Sequence, residues 1–304
     1  MALLDALRAI TSFDPPPALP ECDLVELAEV LTAHGLAPLA SYQVEHTRLG
    51  ARLPTPFREA LLAQYQGVAN DNVLKLVGLR GSLRAVDVPV VLLEGAAYVD
   101  WLYPHMAFRP LGDLRIALRA ADAERFARAV APHLALERTE ERGGVAVYTD
   151  GRITISAQEG LWKGGPADEL LFDRRRPYRA FGPSAARPSA EDALLALAGD
   201  HAVAGLFAPL ITFVDLRELL RLPLDSDYVR ERAVRAGLSR ALYGSCRLVT
   251  QFFPEVASQA VGVQPKVSAA ERVAVDRIVE AARDPARLHH LRGAEKVARL
   301  VVAP

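Results

Sequence analysis

The stretch that decides the fold runs from Val88 to Arg119 and reads VPVVLLEGAAYVDWLYPHMAFRPLGDLRIALR. Residues 88–93 form a short apolar run rich in β-branched side chains, which predicts a buried strand. The glutamate and glycine at 94–95 indicate a turn, and a short amphipathic segment follows at 96–103. Apolar side chains then alternate over residues 114–118, which predicts a second strand with an aspartate at its entrance.

Helical patterns flank this stretch on both sides. Apolar residues recur at steps of three and four over 23–34 and over a long segment from about Pro56 to Ala85, which predicts two helices. The pattern is helical again from a capping-box-like Ser189 and Asp192 onward. The helices predicted in this half cover 189–201, 210–222, 226–236, 239–253, 268–282 and 291–301.

A small α/β unit is predicted between the helical regions. Residues 121–134 have a helical pattern, and two alternating segments then flank Asp150-Gly151, a pair that suits the type I′ turn of a β-hairpin. Residues 157–188 contain glycines, prolines and a basic run and are predicted to be irregular. The expected fold class is therefore α+β, with a small mixed sheet between helical regions. The expected divisions are an N-terminal helical region at 1–85, an α/β core at 86–185 and a C-terminal helical domain at 186–304.

Composition argues against several classes of protein. The chain has 304 residues, 51% of them hydrophobic, and a formal net charge of −1, which does not favour a surface that coats nucleic acid. Its two cysteines, Cys22 and Cys246, lie far apart without a histidine cluster nearby, so neither a disulfide framework nor a structural zinc site is expected. No apolar run reaches the roughly 18 residues of a membrane span, and the N-terminus lacks the basic start of a signal peptide. We therefore expect a cytoplasmic protein that binds neither membranes nor nucleic acid.

Two motifs in the central stretch resemble those of a known family. Leu92-Leu93-Glu94-Gly95 ends the first strand, and Arg109-Pro110-Leu111-Gly112-Asp113-Leu114-Arg115 enters the second, with Asp113 eighteen residues after Gly95. The chain thus resembles a family of bacterial uncharacterised nucleotidyltransferases within the polymerase-β-like superfamily. Members show a leucine-rich strand ending in Lys-Gly, a tyrosine-bearing helix (here Tyr103) and an Arg-Pro-x-Gly-Asp-hydrophobic-Asp signature. The resemblance covers most of the chain and implies a nucleotidyltransferase-like core.

The chemistry that the resemblance implies conflicts with the residues present. Nucleotidyl transfer needs carboxylates at positions i and i+2 of a strand, on one face, where they hold the Mg²⁺ that neutralises the triphosphate. Those positions are Asp113 and Arg115 in this chain. Arginine stays protonated, and at about 4 Å it repels a dication by several kcal/mol even at an effective dielectric of about 20. We therefore expect no metal site at this pair.

Two further positions depart from the family pattern. The lysine that precedes the glycine in the family is Glu94 here, and the Glu-hydrophobic-His pattern of a later strand corresponds to Thr154 and Ser156. An acid thus replaces a phosphate-facing cation, and a hydroxyl replaces an acid that would help to activate the attacking group. Three departures at separate positions predict a nucleotidyltransferase fold that has lost its metal site.

The candidate site residues each have two interpretations. Gly95 allows either the close approach of a phosphate or a tight strand-to-helix turn. Asp113 is either a remaining catalytic acid or a cap that hydrogen-bonds Arg109 or a backbone amide. Arg109 and Arg115 either bind the phosphates of a nucleotide or pair with Glu94 and Asp113 as a salt-bridged plug, which is the interpretation we prefer.

Other polar residues are interpreted as structural. His201 lies on an apolar helix face, where a hydrogen-bonded structural histidine is expected rather than a catalytic base. Asp215 is surrounded by apolar residues and is expected to cap a helix or to pair with Arg217 or His201. The adjacent His289 and His290 diverge on a helix and give only a weak metal signal.

Three functions remain open from the sequence. The first is a catalytically inactive protein that needs no cofactor and binds an unknown protein partner as a scaffold, adaptor or regulatory subunit. The second is an active enzyme that uses Mg²⁺ and a nucleoside triphosphate to move NMP onto a small molecule or protein, with Glu94 or Asp100 joining Asp113 at the metal. The third is a sensor that binds a nucleotide through Arg109 and Arg115 without metal or turnover.

Overall fold

The structure, a computed structural model, describes residues 2–140, 145–282, 284 and 298–303. Helical regions flank a mixed sheet, so the predicted α+β fold class is confirmed. Before the sheet come helices α1 (Ala2–Thr11), α2 (Leu24–Ala33), α3 (Ala37–His46) and α4 (Thr55–Leu83). After it come α8 (Ala190–Val203), α9 (Leu210–Leu220), α10 (Ser226–Arg235), α11 (Ser239–Phe252), α12 (Ala257–Val263) and α13 (Ala269–Ala282).

Seven strands form the sheet within the described part of the chain, in the order β3-β4-β5-β2-β1-β7-β6. They are β1 (Val90–Leu92), β2 (Leu114–Ala117), β3 (Ala135–Glu140), β4 (Val145–Thr149), β5 (Thr154–Gln158), β6 (Arg176–Pro177) and β7 (Ala185–Arg187). The helices between them are α5 (Glu94–Tyr98), α6 (Ala123–Val130) and α7 (Glu169–Arg174). Strand β2 pairs antiparallel with β1 and parallel with β5, and this register places Arg115 beside Ser156.

A continuous hydrophobic core joins the three parts of the chain. It includes apolar side chains of the N-terminal helices, both β1 and β2, and the C-terminal helices. Two polar residues of the sheet are also largely buried: Gln158 is 2% exposed and the Arg115 side chain is 11% exposed. Among the described helices, none has both the length and the apolar character needed to cross a membrane.

The predicted β-hairpin is confirmed, but the predicted turn type is wrong. Strands β4 and β5 pair with Thr149 opposite Thr154, so the loop has four residues instead of the two of a type I′ turn. Gly151 has a positive φ of 84°, whereas the Asp150 carboxylate accepts hydrogen bonds from the amides of Arg152 and Ile153, both at 2.8 Å. The aspartate side chain thus closes a longer turn than a backbone pattern alone would.

Residues predicted as irregular contain regular structure. The segment 157–188 holds the short helix α7 and the strands β6 and β7, and β3 follows α6 where no strand was predicted. Helix α6 ends at Val130, two residues before Pro132, the proline expected to end it. Strands β3, β6 and β7 are short or lie at the sheet edge. Their extended conformation therefore depends on pairing with a neighbouring strand and not on a hydrophobic period of their own. The predicted helix at 291–301 lies mostly outside the described residues. The pair His289-His290 lies wholly outside them.

Asn72 connects helix α4 to the loop that leads into β2. Although it lies in the middle of the helix, it is fully buried. Its amide donates to the backbone oxygens of Met106 (2.7 Å) and Arg109 (2.9 Å), and its Oδ1 accepts from the Leu111 amide at 3.1 Å. One side chain therefore satisfies three backbone groups of a loop that has no strand partner.

Replacing Asn72 with alanine is expected to destabilise the fold by about 2–4 kcal/mol, because it leaves several buried backbone groups unpaired. Gln66→Ala on the exposed face of the same helix is the matched control and should change stability by less than about 0.5 kcal/mol. Urea unfolding followed by circular dichroism measures both. Equal effects of the two substitutions would contradict the role given to Asn72.

Candidate functional site

Arg115 lies in the middle of β2, and its guanidinium group is enclosed by polar side chains from three other elements. Its Nη1 forms ion pairs with Glu94 Oε1 and with Asp200 Oδ1, the latter at 3.0 Å. Its Nε and Nη2 donate to Gln158 Oε1 at 3.2 and 3.0 Å. The Gln158 amide is itself oriented by donating to the Gly160 carbonyl oxygen at 2.9 Å. All three guanidinium nitrogens are thus engaged by the protein's own side chains.

The local structure explains why these four side chains meet. Side chains two residues apart point to one face of a strand, so the buried Gln158 lies on the same face of β5 as Ser156, the residue paired with Arg115 in the parallel register. Glu94 begins α5 directly after β1, and β1 pairs with β2. Asp200 lies near the C-terminal end of α8, and its side chain is 16% exposed. We call Glu94, Arg115, Gln158 and Asp200 the arginine cluster.

The backbone at Glu94 is in an uncommon conformation. Its φ is +48°, in the left-handed region that non-glycine residues adopt at a cost of about 1–2 kcal/mol. This conformation turns the chain sharply from β1 into α5. The ion pair with Arg115 offsets part of that cost, which indicates why a glutamate is accepted where a glycine would be less strained.

Burial and charge give the two acids of the arginine cluster opposite pKa shifts. Burial raises the pKa of Asp200 well above its ordinary value, and the negative charge of Glu94 adds to the effect. Burial acts in the same direction on Glu94, but the positive charges of Arg115 and Arg109 oppose it, and the Glu94 pKa is lowered. The arginine cluster therefore favours the charged forms of Glu94 and Arg115 and disfavours the charged form of Asp200.

Arg109 is held in a second buried ion pair. Its Nε and Nη2 donate to Asp215 Oδ2 at 3.2 and 2.9 Å, and Tyr103 donates its hydroxyl to Asp215 Oδ1 at 2.5 Å. Its Nη1 donates to the Pro110 carbonyl oxygen at 2.9 Å. Burial raises the pKa of Asp215, an effect that Arg109 partly offsets. The prediction that Asp215 pairs with Arg217 or His201 is therefore wrong: its partners come from the loop before β2.

Gly95 is the second residue of α5, and its missing side chain leaves room for Arg109. A Cβ atom built at Gly95 would lie 2.9 Å from Arg109 Nη1 and 2.7 Å from Leu111 Cδ2. The space above the glycine is thus filled by protein side chains. Of the two sequence interpretations, this geometry favours a close-packed strand-to-helix turn.

Asp113 stands apart from the other candidate residues. It is exposed at the entrance to β2, and it forms no hydrogen bond or ion pair with any of the residues that the structure describes. The proposed cap to Arg109 is absent, since that arginine is bound to Asp215. The salt-bridged plug therefore has a different composition from the one expected: Arg115 does pair with Glu94, whereas Asp113 takes no part.

His201 has the structural environment that the sequence indicated. Its Nδ1 lies 2.9 Å from Ser245 Oγ and its Nε2 lies 2.9 Å from Thr212 Oγ1. The ring stacks on Phe213 with a centroid distance of 4.5 Å. Burial lowers the pKa of His201 to about 4. A neutral ring with both nitrogens engaged connects α8, α9 and α11.

Comparison with known proteins identifies the family. A family model described as "Uncharacterised nucleotidyltransferase" matches residues 20–254, which is more than half of the 304 residues. The chain belongs to this family. No curated protein and no solved structure matches the chain. The family match includes the arginine cluster and the Arg109–Asp215 pair.

The residues present do not fit the metal that nucleotidyl transfer requires. Asp113 is the single acid of the expected i and i+2 pair, and Arg115 fills the other position. The two acids of the arginine cluster, Glu94 and Asp200, both contact Arg115 Nη1. Within the described residues, no group of three or more His, Cys, Asp or Glu side chains has the arrangement of a metal site. We therefore derive no metal-dependent step for this member of the family.

Sequence reasoning missed Gln158 and Asp200. Gln158 follows Ser156 by two residues, so the strand alternation that located Thr154 and Ser156 could have extended to it. Asp200 ends an otherwise apolar run in α8, and an acid within a buried helix is a signal for a buried partner. Neither signal names Arg115 as that partner, because only the tertiary packing of α8 on the sheet does so.

Replacing Asp215 with alanine is expected to destabilise the protein by about 3–5 kcal/mol, because it leaves the Arg109 charge buried without compensation. Urea unfolding measures this change. In the double variant Arg109→Met/Asp215→Leu, most of the stability should return, since neither charge remains. Asp87→Ala removes an Asp–Arg pair on the surface and should have little effect. A similar loss of stability from Asp215→Ala and from Asp87→Ala would contradict the importance of the buried pair.

Acid should destabilise the protein through His201. Its folded pKa of about 4 lies below the ordinary 6.5, so the unfolded chain binds more protons between these values and stability falls as the pH drops from about 6.5 to about 4. The expected loss is up to about 3 kcal/mol. Comparing urea unfolding of the wild type and His201→Gln across this range isolates the contribution, with the exposed His133→Gln as control. An unchanged pH dependence in His201→Gln would refute this assignment.

Proposed function

We propose that this member of the uncharacterised nucleotidyltransferase family does not transfer nucleotides and instead acts by binding a protein partner, as a scaffold, adaptor or regulatory subunit. The observation that carries the proposal is the position of Arg115. Two carboxyl groups converge on one point, as they do around a metal ion, but that point is the Nη1 atom of an arginine. A permanent cation of the chain thus occupies the place where a bound cation would serve catalysis.

Electrostatics supports the loss of metal binding. The positive charge of Arg115 is already balanced by Glu94, and burial disfavours the charged form of Asp200. A divalent cation placed beside this cluster would meet one fixed positive charge and no unpaired anion within it. Its entry would also require the desolvated Glu94–Arg115 pair to separate, which costs several kcal/mol in buried pairs.

The same geometry counts against a nucleotide sensor that uses these two arginines. Arg115 and Arg109 are each bound to acids and largely buried, with side-chain exposures of 11% and 10%. Phosphate oxygens would have to displace Glu94 and Asp215 to reach them. A scaffold role requires no such displacement, because it leaves the interior intact and uses the surface.

A thermal-shift series on the full chain tests the proposal, using ATP, CTP, GTP and UTP with and without Mg²⁺ or Mn²⁺. No nucleotide should shift the melting temperature of the wild type, whereas a ligand at 100 times its Kd would add about 2.7 kcal/mol of stability. Arg115→Asp restores the second acid of the family signature, so a metal-dependent shift in this variant alone would support Arg115 as the cause of the loss. Arg125→Asp, at an exposed arginine, is the charge-matched control.

Two outcomes would contradict the proposal. A metal-dependent shift of the wild type with any nucleotide would favour an active enzyme that moves NMP onto a small molecule or protein. A metal-independent shift would favour the nucleotide sensor. Arg115→Asp leaves two buried acids without their cation, so it is expected to be less stable, but the wild-type measurement decides the question even if this variant fails to fold.

A further inference from the structure

The outer side of α4 carries exposed residues at heptad spacing. Helix α4 has 29 residues and is therefore roughly 44 Å long. Positions that alternate by three and four residues along its outer side are all exposed, and no other described segment covers them. These positions, which we call the outer stripe, are Ala60, Ala63, Gly67, Asn70, Leu74, Val77, Gly81 and Arg84.

The outer stripe contains two large apolar side chains that are open to solvent. Leu74 and Val77 are each 66% exposed, and Val73 beside them is 47% exposed. A Cβ atom built at Gly67 or Gly81 would meet nothing within 4 Å, so the stripe is open above both glycines. Alternation by three and four residues is the spacing at which one helix packs against another. This spacing therefore favours a helix as the binding partner of the outer stripe.

The sizes of the side chains select the direction of that helix. The large residues Leu74 and Val77 lie in the C-terminal half of the outer stripe, and the small residues Ala63 and Gly67 lie in the N-terminal half. An antiparallel copy of α4, centred near position 72, places Val77 of one chain against Gly67 of the other. A parallel copy would place the large residues of the two chains against each other and the small residues against each other.

The charges along the same side are complementary to an antiparallel copy. Arg80 and Arg84 are exposed near the C-terminal end of α4 and, with Arg179, line an open cavity of about 480 Å³. Glu59 is exposed at the opposite end. None of these four side chains forms an ion pair with another described residue. Antiparallel pairing would bring Glu59 of each chain close to the arginines of the other, which favours this orientation.

We propose that two copies of this chain form a dimer through antiparallel pairing of their α4 helices along the outer stripe. The arrangement is self-complementary, as a two-fold symmetric interface must be. It uses only the outer side of α4, so the inner side keeps Asn72 and its contacts with the core. The proposed dimer does not depend on the role given to Arg115.

Sedimentation equilibrium of the full chain over a range of concentrations tests the dimer. The wild type should show a reversible monomer–dimer equilibrium. Val77→Glu should weaken it by about tenfold or more, because a charge would be buried at the interface. Val234→Glu, at a 61% exposed valine on α10, is the matched control and should leave the equilibrium unchanged. Because both valines are exposed, both variants should retain the wild-type circular dichroism spectrum.

Disulfide trapping tests the direction of pairing. In a Cys22→Ser background, which leaves only the buried Cys246, Gly67→Cys and Val77→Cys proteins should cross-link when mixed and oxidised. Neither should cross-link alone. A wild type that stays monomeric at all concentrations, a dimer unaffected by Val77→Glu, or cross-linking of either cysteine variant with itself would each overturn the proposal.

Discussion

One guanidinium group, that of Arg115, joins four separate parts of the chain. It connects β2 to the start of α5 through Glu94, to β5 through Gln158 and to α8 through Asp200. A buried charge is tolerated only where its hydrogen-bonding groups are satisfied, so these elements must meet in one arrangement. At this meeting point the backbone of Glu94 has a positive φ, and burial raises the pKa of Asp200.

A second set of buried polar contacts joins the N-terminal helices to the C-terminal ones. Asp215 on α9 holds Arg109 and Tyr103 from the segment between β1 and β2. Arg217, two residues further along α9, is fully buried and donates to the backbone oxygen of Thr11 at the end of α1. Helix α9 thus contacts both α1 and the segment between β1 and β2 through buried polar groups. The stability of this region depends on the pairing of charges as well as on apolar burial.

Family membership does not by itself fix the chemistry of this protein. The region that the family model matches contains a candidate site whose interior is filled by side chains that satisfy one another. Fold is set by the pattern of buried apolar residues, whereas activity depends on a few polar side chains at one place. A change in those few side chains is compatible with an unchanged fold, and a function in binding would then use surfaces such as the outer side of α4, where Leu74 and Val77 are exposed.

The sequence by itself determined the α+β fold class, most of the long helices, the two central strands and the hairpin, because hydrophobic periodicity is a local property. It also predicted that Arg115 interrupts the metal-binding pair of the family signature, since that prediction needs only strand alternation and charge. The short strands β6 and β7 were missed because their extended conformation depends on pairing with neighbouring strands. Only the tertiary structure decided which acids meet Arg115 and that Asp215 meets Arg109 instead of Arg217. Those partners lie far away along the chain, and no local pattern records which helix packs over which strand.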